Sequence, residues 1–207
     1  MSIFRLNDVG AKIPLTSTLA RVASSIMVWI VCQPISGHSQ SQARSWLDEP
    51  NPASWNKPGA AIPAAPKLQE TVDPRCRELT RPAQSAEDKQ VRGHGWDLVG
   101  AYQGGWQIVV IGGTAGYDGM CRPRQFQNFV FVQGAFAGTL APQPMDSRTD
   151  GALSRVYLQN ARQLTAEYQR YAANDPLCCP SGTTTVTFDI AADARVVRPV
   201  SASTTKH

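Results

Sequence analysis

Two of the five cysteines, Cys178 and Cys179, are neighbours in the chain, and that adjacency constrains the fold more than any other feature. A bond between neighbours closes an eight-membered ring and strains the peptide inside it, so each is expected to reach a different distant cysteine. Cys76 and Cys121 are the partners available, and which takes which stays open. Two such bonds across long loops would each stabilise the fold by about 4 kcal/mol through chain entropy. They also imply an oxidising compartment. Zinc usually takes four converging Cys or His ligands with Cys pairs two to four residues apart. No such pair occurs, and the histidines are only His38, His94 and His207. With no Cys-x-x-Cys redox pair either, no metal and no cofactor is expected.

Cys32 belongs to a different context. Arg5, Lys12 and Arg21 outnumber Asp8 in residues 1–21, and the run Val22 to Val31 carries no charge. Crossing a hydrocarbon core of about 30 Å takes roughly 20 apolar residues. The shorter run, followed by Pro34 and Gly37, therefore reads as a signal peptide over 1–43, cut between Ser39 and Arg44. The alternatives are a buried helix or an uncleaved anchor. Lipidation of Cys32 would require a small residue before it and an aliphatic one three before it, where Val31 and Trp29 stand. The protein is accordingly expected outside the cytoplasm, in the periplasm, in the cell envelope or secreted, touching membrane only through an uncleaved or lipidated N-terminus.

Hydrophobic residues make up 42% of the chain and charged residues 17%, enough for a core and too little charge for a wholly disordered chain. A net charge of +4 is too slight and too dispersed for nucleic acid. Residues 44–92 are Pro/Ala-rich, an arm that reads as a spacer, with Trp46 and Trp55 expected to dock on their own domain and a short helix over Ser85–Val91. Residues 93–200 read as strands: Trp106–Ile111, Phe129–Val132 forming a hairpin with Ala135–Leu140, two strands in 152–171 broken near Asn160, Thr183–Ile190 and Arg195–Val200. The expectation is a mainly β fold, with α+β as the alternative: one antiparallel-sheet domain stapled by two disulfides, ending in a flexible tail at 201–207.

The chemical signals are weak. Ile111-Gly-Gly-Thr-Ala-Gly116 follows a strand as a phosphate loop would, but no helix pattern follows, so a Gly-rich turn is expected. His94 has no nucleophile motif to serve. Asp146, Arg148 and Asp150 crowd one polar loop, able to bind a sugar or cation or to satisfy the loop's own backbone. Arg75, Arg77, Arg81, Arg122 and Arg124 flank two cysteines and read as a solvated surface or an anion patch.

Asp73-Pro-Arg-Cys76, Cys121-Arg-Pro with Asn128–Val132, Ala137-Gly-Thr-Leu140, Met145–Gly151 and Asp175-Pro-Leu-Cys-Cys-Pro-Ser181 together resemble the LppP/LprE family of bacterial cell-envelope lipoproteins, over about residues 70–195. The resemblance implies an exported envelope domain without an established enzymatic activity, and so a non-enzymatic binding or structural module whose partner is an envelope component or a small ligand. Two other readings are a periplasmic hydrolase or carbohydrate-active enzyme using Asp146, Asp150 and Glu167, and a lipid- or glycan-binding domain with an apolar cavity.

Overall fold

In the computed structural model, described for residues 45–68 and 73–207, the β-branched runs become strands that alternate between two cores. One helix, α1 (Ala86–Gly93), precedes β1 (Asp97–Gly105), β2 (Ile108–Thr114), β3 (Gly116–Tyr117), β4 (Pro123–Arg124), β5 (Gln127–Val132), β6 (Ala135–Thr139), β7 (Leu153–Asn160), β8 (Gln163–Arg170), β9 (Gly182–Ala191) and β10 (Val196–Lys206). The first sheet has the order β1-β2-β5-β6, the second β10-β9-β8-β7, and β3 with β4 form a small ribbon; every pairing is antiparallel. The expected signal peptide over 1–43, its expected cleavage site and Cys32 lie outside the described residues.

The inner strands of the first sheet, β2 and β5, are buried on both faces, as the unbroken apolar run Phe129-Val-Phe-Val132 foretells, whereas the edge strand β1 is largely exposed. Val130 and Val132 join Ile108 and Val110 against Leu164, Tyr168, Val186 and Phe188 of the second sheet. Phe129 and Phe131 turn the other way, against Ile62, Val91, Trp96, Leu98 and Ile111. Each fully buried side chain of this size contributes about 1.5–3 kcal/mol. The second sheet buries one face only. Along β9, Val186, Phe188 and Ile190 are buried while Thr185 and Asp189 are exposed, the period-two pattern of a sheet with one wet face.

The expected helix starts where its cap lies: the Ser85 hydroxyl accepts from the Asp88 N–H at 3.0 Å, and the Asp88 carboxylate accepts from the Ser85 N–H at 3.2 Å. The 129–140 hairpin and the two strands broken after Asn160 are present as expected. Four expectations need correction.

First, the arm is a strap and not a spacer. Leu47 is buried in the core between the sheets and Ile62 in the second core. Trp46 packs edge-on against Trp55 and Tyr168, with ring centroids 4.8 and 5.2 Å away. These two tryptophans thus dock on their own domain. Asn56 acts as a clasp. Its amide donates to the carbonyls of Thr139 on β6 and Val197 on β10, both at 2.9 Å, and its oxygen accepts from the Thr139 N–H. Gly138 leaves the space for it: a Cβ there would lie 2.3 Å from Asn56 Cγ, on a backbone with φ +135°. Asn56→Asp should lower unfolding stability by about 2 kcal/mol in urea denaturation, since it removes both donors and sets a carboxylate against two carbonyls. An unchanged midpoint would mean the clasp bears no load.

Second, residues 201–207 are not a flexible tail, since β10 continues to Lys206 in register with Gly182. Third, Gly112 and Gly113 are strand residues and not a turn: they pair with Val99 and Leu98 of β1 and with Asn128 and Gln127 of β5, and a Cβ at Gly113 would come within 3.0 Å of both Trp96 and Phe129. At the other end of β2, Trp106 and Gln107 form the turn from β1, both with positive φ, so β2 begins two residues later than expected.

Fourth, the cysteines pair differently. Cys76 bonds Cys121, and Cys178 bonds Cys179. The 3-10 turn Pro74–Leu79 lays Cys76 beside the 118–121 turn, at a Cα separation of 4.9 Å from Cys121. Cys178 and Cys179 sit on the loop between β8 and β9, an element of the other sheet, so the expected long-range bonds do not form.

Candidate functional site

The Asp146–Gly151 loop joins β6 of the first sheet to β7 of the second, and its charged residues follow from that crossing. Asp146 grips the side of the first sheet. Its oxygens accept from the Gln125 N–H at 2.8 Å and the Gln125 side-chain amide at 3.1 Å, with Arg124 Nε 3.8 Å away. Ser147 donates to the Pro123 carbonyl at 2.7 Å, and Thr149 to the Asp146 carbonyl at 2.7 Å. Asp150 grips the second sheet, accepting from the Tyr171 N–H and from Arg170 Nε, both at 2.9 Å. Arg148, between them, is exposed and adopts φ +60°.

Arg170 is the hub that residue patterns missed. It points inward from β8 and donates to Asp150, to Asp48 at 2.7 Å and to Thr184 at 3.1 Å. One guanidinium fork therefore binds arm, crossover loop and sheet together. The two flanking carboxylates raise its pKa against the opposing effect of burial, so it stays charged. Its sequence signal is faint: Ser45-Trp-Leu-Asp48 reads as a capping box, which the structure forms, but nothing in that string points to β8.

Two open clefts of about 620 Å³ each meet at Asp150. One lies against Leu47, Asp48, Arg170, Tyr171, Thr204 and Lys206. The other lies against Trp46, Pro142, Pro144, Met145, Asp146 and Thr149. Asp150 borders both. Their size suits a small ligand. Glu167 is not among their lining residues. It lies on the wet face of β8, between the inward-facing Ala166 and Tyr168, where its carbonyl accepts from Ser154. His94 ends α1, with Nδ1 2.9 Å from the Gln90 carbonyl.

Four of the five arginines near Cys76 and Cys121 face carboxylates: Arg75 on Asp73, Arg81 on Asp88, Arg122 on Asp118 and Arg124 on Asp146. The Arg75 guanidinium holds half-buried Asp73 down to about 2. Burial resists ionisation of Asp118, but the N–H groups of Arg122 and Met120 and the Arg122 guanidinium outweigh it and keep the pKa low. Burial pushes the Tyr117 hydroxyl up to about 12.

Residues 102–193 match the family model for LppP/LprE lipoproteins. No curated protein and no solved structure matches the chain. The LppP/LprE match spans most of β1 through β9, with the crossover loop, Arg170 and the adjacent cysteines, and leaves out Cys76, Asp88 and the arm. It is thus narrower on its N-terminal side than the resemblance over about 70–195 suggested. The LppP/LprE description makes the chain similar to envelope-associated lipoproteins. Among the described residues no helix is long and apolar enough to cross a membrane.

Proposed function

We propose that this is an exported cell-envelope protein acting as a non-catalytic binding or structural module. The LppP/LprE match and the Cys76–Cys121 bond support the compartment. One observation carries the non-catalytic reading: the two carboxylates a hydrolase would use, Asp146 and Asp150, each bind a main-chain N–H of a neighbouring strand segment. An acid–base pair needs carboxyl groups about 5–10 Å apart and free to face a substrate, whereas these two fasten a loop to two different sheets. The ligand surface in this reading is the pair of clefts that Asp150 borders.

The test is a hydrolysis screen of the purified protein with chromogenic glycosides and esters, run beside Asp146→Asn and Asp150→Asn. No turnover above buffer is expected from any of the three, and both variants should lose about 1 kcal/mol of stability or more through their weakened charged hydrogen bonds. Turnover that either substitution abolishes, with the fold retained, would make the chain an enzyme.

A further inference from the structure

We propose that Cys178–Cys179 is a thiol–disulfide exchange site, reduced by a dithiol and reoxidised by a disulfide. A bond between neighbours closes no loop of chain, so it does little of the stapling that Cys76–Cys121 does. The loop has other ties besides that bond. One Asp175 oxygen accepts from the Ala172 N–H at 2.7 Å and the Ser181 N–H at 2.8 Å, and the Tyr171 hydroxyl donates to the Leu177 carbonyl at 3.1 Å. These hydrogen bonds tie the loop ends together without using either sulfur.

What distinguishes the pair is access. Cys178 and Cys179 are both exposed, whereas Cys76 is fully buried. Leu177, 58% exposed, sits beside the sulfurs, and Pro176 and Pro180 stiffen the segment, so an apolar tip is offered to a docking protein. An eight-membered ring and open solvent both favour reduction. In the exchange, a thiolate of the dithiol attacks one sulfur, forms a mixed disulfide and releases the other cysteine as a thiolate. The second thiol of the dithiol then displaces the remaining cysteine. The dithiol leaves as a cyclic disulfide, and Cys178 and Cys179 have gained two electrons and two protons.

The oxidised full chain would be equilibrated in graded ratios of reduced to oxidised dithiothreitol, quenched by alkylation and mapped by mass spectrometry. Cys178 and Cys179 should be alkylated together at a ratio at least ten-fold lower than Cys76 and Cys121, with far-ultraviolet circular dichroism unchanged across that first step. Cys179→Ser should abolish the first step and leave the second. Opening of both bonds at one ratio, persistence of the first step in the variant, or a peptide linking Cys178 or Cys179 to Cys76 or Cys121 would each overturn the proposal.

Discussion

Asp88→Ala is expected to cost about 3–5 kcal/mol of unfolding stability, the range for breaking a buried ion pair from one side. The Asp88 carboxylate is fully buried, and both Arg81 terminal nitrogens donate to it, at 2.6 and 2.7 Å. The N–H groups of Gln84 and Ser85 donate to it as well. Arg81 in turn donates to the carbonyls of Leu98 and Gly100, so the pair joins the start of α1 to β1. Alanine would strand a partly buried guanidinium and two N–H groups together. Denaturant unfolding reads the loss, and a change within 0.5 kcal/mol, roughly the scatter of surface substitutions, would contradict this account. The pH dependence has a definite sign. Burial opposes ionisation of Asp88, but Arg81 and the backbone donors outweigh it and hold its pKa below the ordinary value. Its contribution is therefore complete above the unfolded carboxyl pKa of about 3.9 and is lost as pH falls through the lower folded value. In Asp88→Asn that part of the acid-side slope should vanish.

Replacing Cys76 and Cys121 together by serine should remove about 4 kcal/mol, the chain-entropy value for a bond across 45 residues. That bond fastens the Pro74–Leu79 turn to the loop beside β3 and β4. Replacing Cys178 and Cys179 by serine should cost about 0.5 kcal/mol or less, because a bond between neighbours barely restricts the unfolded chain. Comparable losses from the two double variants would place Cys178 and Cys179 in long-range bonds.

The contrast also shows where residue patterns succeed. Local signals were legible: Ser85 capped α1, alternation in Thr183–Ile190 gave β9, and a doubly apolar run gave β5. What stayed hidden depends on residues meeting across long stretches of chain. Asn56 reaches β6 and β10 from a Pro-rich segment whose composition suggests no packing, and Arg170 meets Asp48 across 122 positions. The last strand residues leave no signature because Ser201–Lys206 has no apolar run; they are held by hydrogen bonding to β9 and by the Pro50 carbonyl accepting from Ala202. The loop aspartates stand out in the sequence, but what each one holds depends on which sheet it faces.

Intact mass with non-reduced peptide mapping of the chain recovered from its own cells tests export into an oxidising envelope. The predicted result is a species in the envelope or outside the cell, shortened at a cut between Ser39 and Arg44 or carrying lipid on Cys32, with Cys76 joined to Cys121. A full-length 207-residue chain in the cytosol with Cys76 and Cys121 as free thiols would contradict it.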